Sequence, residues 1–214
     1  MAQIFVSHSG KDKDLRDFFS NAFAGTKVKV IFEEFEEIFR GKVTSEQIAK
    51  DIENSKAVFV ILSQSVQNIP HTRDWVVWEA GVAKGRDIWI FEPYSQLGEI
   101  SVATPYLRHY AIFDTNDSWL GYIKTIIESY DDSHVLPTVL ATGGMGALLA
   151  ERDKIGGAAL GVLAGLLISD KSKERPAGIG VMCSDCSSSY NVHIPQGIDT
   201  FRCPVCNTYS KIEI

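Results

Sequence analysis

Ala57-Val58-Phe59-Val60-Ile61-Leu62 is the most apolar short run of the first half of the chain. Six residues rich in β-branched and aromatic side chains, with no polar alternation, read as a strand buried on both faces and placed at the centre of a sheet. Outward from it the pattern repeats. Upstream lie Ile4-Phe5-Val6, closed by Ser7-His8-Ser9-Gly10, and Lys27 to Phe32, separated by a helical pattern with Leu15, Phe18, Phe19 and Phe23 inward. Residues 33–44 read as an acidic loop. Thr44 or Ser45 caps a helix carrying Ile48 and Ile52. Downstream, residues 63–72 read as a loop, and a helix begins near Thr72 or Asp74 and stops at Gly85. Ile88-Trp89-Ile90-Phe91 is a fourth strand. His109 to Phe113 is a fifth, expected at an edge, and Trp119 to Tyr130 is a last helix. Strand and helix alternate five times, which predicts an α/β fold: an open five-stranded parallel sheet, flavodoxin-like, with helices on both faces.

Composition divides the chain. Of 214 residues, 1–132 hold 14 basic and 20 acidic side chains, and the remainder seven of each, so the net charge of −6 lies wholly in the first part. That excess argues against a nucleic-acid surface there. All four Trp lie in residues 1–132 and all four Cys beyond them. The chain opens on Met1-Ala2-Gln3-Ile4-Phe5-Val6 with no basic start and no long apolar run, so a cytoplasmic protein is expected.

In a parallel sheet ligands bind at the carboxyl ends of the strands. Those ends carry Ser7, His8, Ser9, Glu33, Glu34, Ser63 and Pro93-Tyr94. No G-x-G-x-x-G and no P-loop is present, so neither a dinucleotide fingerprint nor a Walker site is expected. Trp75 and Glu79 stand four residues apart and share a helical face, which puts an aromatic surface beside a carboxylate. For an isolated helix the simplest reading makes Trp75 and Trp78 core anchors and Glu79 a solvated charge. Ser7 and His8 read equally as a loop cap, Phe32 as core, and His109 as an ordinary strand-edge residue.

Residues 1–132, about three fifths of the chain, resemble a TIR domain. Ile4-Phe5-Val6-Ser7-His8-Ser9 is similar to its first box. Phe32-Glu33 before an acidic loop ending in Gly41-Lys42 is similar to the second strand and the loop after it, and Phe59-Val60-Ile61-Leu62-Ser63 to the third strand. Asp74-Trp75-Val76-Val77-Trp78-Glu79 resembles the catalytic helix of the NAD-cleaving members, whereas adaptor TIR domains generally lack the glutamate. The resemblance implies NAD+ as substrate, Glu79 as the catalytic carboxylate, and Ser7, His8, Ser9, Phe32, Glu33 and Trp75 on the substrate side. The chemistry fits one carboxylate. Breaking the nicotinamide–ribose bond develops an oxocarbenium ion and releases a neutral base, so charge stabilisation suffices and no general acid is needed. Ordinary glycoside hydrolysis needs two carboxylates.

Residues 135–169 change character. Two apolar stretches flank Glu151-Arg152-Asp153-Lys154, and the second carries Gly157, Gly161 and Gly165 at intervals of four. Small residues so spaced let helices approach closely, and each stretch is shorter than the ~20 residues of a membrane span. A Gly-rich helical hairpin that self-associates is expected; partial membrane insertion and a linker pair packed on the first domain are the alternatives. The resemblance agrees, because TIR enzymes are commonly switched on by assembly. Residues 170–180 read as a polar linker.

Cys183-Ser184-Asp185-Cys186 and Cys203-Pro204-Val205-Cys206 form C-x2-C…C-x2-C. Each pair supplies one edge of a tetrahedral thiolate site, and four Cys leave no open position, so a structural Zn2+ is expected. Residues 181–214 resemble a zinc ribbon, a small β domain with a ligand or protein partner that the sequence does not name. His193 is not needed as a ligand.

Overall fold

The structure, a computed structural model, describes residues 1–34, 44–104, 106–131, 175–195 and 197–212. The expected Gly-rich hairpin at 135–169 lies outside the described residues. The elements run β1 (Gln3–His8), α1 (Lys13–Phe23), β2 (Lys29–Glu34), α2 (Ser45–Glu53), β3 (Ala57–Ile61), α3 (Gln64–Asn68), α4 (Pro70–Val82), β4 (Asp87–Pro93), β5 (His109–Phe113), α5 (Asp117–Glu128), β6 (Ile179–Met182), β7 (Ser189–His193), β8 (Thr200–Arg202) and β9 (Tyr209–Lys211). The fold is α/β with a mostly parallel sheet, ordered β2-β1-β3-β4-β5-β7-β6.

Every residue of β3 is buried, and β1 and β4 flank it in parallel. Its apolar run needs that position, because both of its faces are covered. Phe59 and Ile61 face a core shared with Phe19 and Phe23 of α1 and with Ile123, Ile126 and Ile127 of α5. Val58 and Val60 face Ile48 and Ile52 of α2, Val66 of α3, Val76 of α4 and Ala83, the C-cap of α4. Fully burying one such aliphatic or aromatic side chain is worth about 1.5–3 kcal/mol. The two cores therefore fix which helix lies on which face.

Three expectations change. The helix that carries Trp75 and Glu79 begins earlier, at Pro70, with no side-chain cap. Proline at the first helical position lacks the N–H that a cap would satisfy and has its φ preset. Thr72 and Asp74 are therefore helical residues and cap nothing. Residues 64–68, read as loop, form a short helix whose N-cap, Ser63, accepts from the Val66 amide.

The third change is the sheet itself. Among the described residues it has seven strands, and β5 is not an edge. β7 pairs with β5 in parallel, His109 opposite Asn191 and Ala111 opposite His193, and β6 closes the sheet antiparallel to β7. An uncovered β5 would leave a row of unpaired backbone groups. The cysteine-bearing segment supplies the missing partner. Its second hairpin, β8–β9, packs Phe201 on Tyr110 with ring centroids 5.9 Å apart. Cys183, Tyr190, Val192, Phe201 and Cys203 all join the core under α4. No helix among the described residues is long and apolar enough to cross a membrane.

Candidate functional site

The end of β1 and the last turns of α4 meet at Glu79. Trp75, one turn earlier, donates its Nε1–H to Glu79 Oε1 at 2.8 Å. Ser7, the next-to-last residue of β1, donates its hydroxyl to Glu79 Oε2. The carboxyl group is thus held at both oxygens from two elements. Glu79 is 1% exposed. Burial raises its pKa from the ordinary carboxylate range to about 8, the hydrogen bonds from Ser7 and Trp75 oppose the rise, and the charge of Glu33 adds to it. Desolvation dominates the two donors.

Parallel pairing places Glu33 beside Ser7. Neighbouring strands present paired residues on the same face, so Glu33, Ser7, Trp75 and Glu79 gather on the α4 side of the sheet. His8 and Phe32 alternate to the opposite side. Phe32 packs against the core of α1, and the His8 ring meets it edge-on with centroids 5.8 Å apart. Ser9, fully buried, belongs to the turn into α1: its carbonyl accepts from the Asp12 amide and its hydroxyl from the Lys11 amide. The expected substrate set therefore divides, with Ser7, Glu33 and Trp75 at Glu79 and with His8, Phe32 and Ser9 elsewhere. The rings of Trp75 and Trp78 stack at 4.5 Å, and Trp78 is exposed at the surface. In the sequence Trp75 and Trp78 read only as separate core anchors, although residues three apart are neighbours on a helix.

The four cysteines form the second site. Their sulfurs lie within 4.8 Å of one another, Cys183 to Cys206 at 3.6 Å and Cys186 to Cys203 at 3.9 Å. A tetrahedron with Zn–S bonds of about 2.3 Å has edges of about 3.8 Å, so the sulfurs fit one Zn2+. Both knuckles fold alike. The amide of Ser187 donates to the Cys183 carbonyl and that of Asn207 to the Cys203 carbonyl. Ser187 and Asn207 take left-handed backbone angles, φ 58° and 65°. That conformation lets the chain turn back around the metal.

The second knuckle also grips the body. The Thr104 amide donates to the Pro204 carbonyl at 2.8 Å, and Asn207 Nδ2 to the Ser101 carbonyl at 2.9 Å. His193 is not a ligand. Its Nε2 lies 3.1 Å from His109 Nδ1, and its Nδ1 is 2.6 Å from the Tyr122 hydroxyl. His109, expected at a strand edge, is buried between β4 and β7, where its ring stacks on Trp89 at 3.9 Å.

Against known proteins no family model, no curated protein and no solved structure matches the chain.

Proposed function

We propose that the chain is an NAD+-cleaving enzyme of the TIR type, hydrolysing or cyclising its substrate and activated by self-association. The observation that carries the reading is Glu79: a buried carboxyl group clamped by Ser7 and Trp75 beside the carboxyl ends of β1 and β2. Such a group is a candidate for chemistry, because burying an acid costs stability. The order β2-β1-β3-β4-β5 is that of flavodoxin-like sheets, in which ligands bind at the reversal of strand order, here between β1 and β3. Ser7 stands at that reversal.

In the proposed reaction Glu79 acts as the anion that stabilises positive charge on the ribose as nicotinamide departs. Nicotinamide in NAD+ is itself a cation before cleavage. Bound near Glu79, it would draw the carboxyl pKa down from about 8 and ionise the group where it is needed. The stacked Trp75–Trp78 pair offers a flat platform for a substrate ring. Water attacking the ribose gives ADP-ribose; an adenine nitrogen gives a cyclic product.

The four thiolates would hold Zn2+ as a structural ion that closes the two knuckles. The Gly-rich segment at 135–169 is proposed to bring copies together, the ribbon is proposed to dock an activating partner, and a role in microbial defence or stress signalling follows from the resemblance alone.

The test is nicotinamide release with product mass, on the full chain at high concentration and when tethered to a multivalent scaffold. Activity lost in Glu79→Gln with folding retained supports the enzyme. Silence of the wild type in both formats sinks it and leaves a non-enzymatic TIR scaffold.

A further inference from the structure

Joining β7 to β5 creates a cleft that a five-stranded sheet would lack. It opens at the amino ends of β4 and β5, opposite the end where Glu79 sits, with a volume of about 640 Å³. Asp87, Arg108, His109, Arg175, Ser189 and Asn191 line it. We propose that this cleft binds a phosphate-bearing anion between the guanidinium groups of Arg108 and Arg175. The proposal is independent of the NAD-cleaving reading.

The charge arrangement carries it. Arg175 is fixed from three sides: Nη1 pairs with Asp87, Nε donates to Ser129 Oγ at 3.4 Å, and the guanidinium lies 4.2 Å over the Tyr130 ring. Its side chain is nonetheless one third exposed. Arg108 reaches the other oxygen of Asp87 at 3.9 Å, with most of its side chain in solvent. The backbone of Arg108 is pinned, its amide donating to the Ile88 carbonyl and its carbonyl accepting from Asn191. Asp87 also accepts from the Tyr130 hydroxyl at 2.8 Å. Asp87 is engaged on both oxygens, while each guanidinium carries five N–H donors.

Among the described residues that line the cleft, two cations, Arg175 held in place and Arg108 reaching in from solvent, share one anion, Asp87. His109 adds no charge near neutrality, since burial lowers its pKa to about 4. The described lining thus holds one more cation than anion, in a chain of net charge −6. Guanidinium forks match phosphate oxygens in pairs. Ser189 and Asn191 border the same space and bring neutral hydrogen-bonding groups.

The experiment is calorimetric titration of the zinc-loaded full chain with inorganic phosphate, pyrophosphate and adenosine monophosphate in turn. Saturable binding that weakens with added salt is expected for at least one of the three, and the comparison tells a bare phosphate site from a nucleotide site. Arg108→Gln, whose side chain is mostly in solvent and packs in no core, should weaken that binding about 10-fold or more, the weight of one lost charge-assisted hydrogen bond. Asp87→Asn, which removes the internal competitor, should strengthen it. Glu79→Gln should leave it unchanged. No saturable binding of any probe, or equal affinity in wild type and Arg108→Gln, overturns the proposal.

Discussion

Ser7 and Glu79, 72 residues apart in sequence, are joined by a hydrogen bond from the serine hydroxyl to the buried carboxyl group. A donor to a carboxylate favours its charged form, so Ser7 lowers a pKa that burial raises. In the proposed reaction the charged form is the active one. The kcat/KM of NAD+ cleavage should therefore climb with pH toward a limb near 8, the free enzyme's value. Ser7→Ala should move that limb upward by roughly one unit, the scale of one hydrogen bond to a charge, while Ser7→Thr should restore it. A Ser7 that contacts only substrate would change KM and leave the limb in place.

The same burial predicts a trade between stability and activity. The unfolded carboxyl group ionises above its ordinary 4.5, whereas the folded one keeps its proton to about 8. Folding thus binds a proton between those values, and stability falls as pH rises through them. At pH 7 the cost is on the order of 3 kcal/mol. Glu79→Gln keeps the shape, and its amide donates to Ser7 while its oxygen still accepts from Trp75. This variant should abolish cleavage, melt at a higher temperature than wild type at pH 7, and lose most of the excess stability as the pH is lowered to 4.5. Paired melting curves at the two pH values check it.

Zinc removal should be felt beyond the knuckles. Cys183 and Cys203 sit in the core beneath α4, and β7 holds the flank of β5. Chelation, or Cys203→Ser, should lower the melting temperature by about 10 °C or more, the shift that a few kcal/mol brings in a protein of this size. Amide exchange should quicken in β5 as well as in the ribbon. A ribbon that behaved as an independent module would leave β5 protected.

The alternation of strands and helices was legible because each strand of the body is a run of apolar residues long enough to be recognised alone. Glu79 and Trp75 were legible because a spacing of four on a helix fixes a shared face. Cys183, Cys186, Cys203 and Cys206 were legible from spacing alone. The division of the substrate set was not, since Ser7 and His8 are adjacent in sequence and part company only when the strand's alternation is referred to real helices. The covering of β5 was hidden for a related reason: Tyr190-Asn191-Val192-His193 reads as a strand, but nothing local says which strand it pairs. His109 then read as an ordinary strand-edge residue and His193 only as a non-ligand, and only the β5–β7 register brings their rings together.

That histidine pair sets the acid limit of the fold. Burial lowers the pKa of His109 to about 4, with Asp87 opposing the fall and Arg175 and Arg108 adding to it, and burial together with the charge of His109 lowers that of His193 to about 3. Both folded values lie below the ordinary 6.5, so below that pH the unfolded chain takes up protons that the native one refuses. From the two histidines stability is then lost from pH 6.5 downward, on the order of 6 kcal/mol by pH 4. Over the same range Glu79 contributes a smaller gain, one proton against two. The optimum should therefore fall near pH ~6.5. Acid unfolding should be reported early by Trp89, whose indole stacks on His109 and donates to the Tyr130 hydroxyl. A stability profile that stays flat from pH 6.5 to 4.5 would contradict this account.

Gly178 makes the final demand on the same joint. It has φ 67°, and a Cβ built there would lie 2.6 Å from His193 Cε1 and 2.8 Å from Nε2. The left-handed backbone alone costs a non-glycine residue about 1–2 kcal/mol. The ring cannot yield, since it is held by His109 on one nitrogen and Tyr122 on the other. Gly178→Ala should thus destabilise the chain by ~2 kcal/mol or more and loosen the β5–β7 seam. Gly121 is the internal control. It lies within α5 with nothing inside 4 Å of a built Cβ, so Gly121→Ala should stabilise by roughly 0.5–1 kcal/mol through helix propensity. Denaturant unfolding of the two variants should give shifts of opposite sign. A neutral Gly178→Ala would mean that the ring is free to move and that the seam between β5 and β7 is looser than its hydrogen bonds imply.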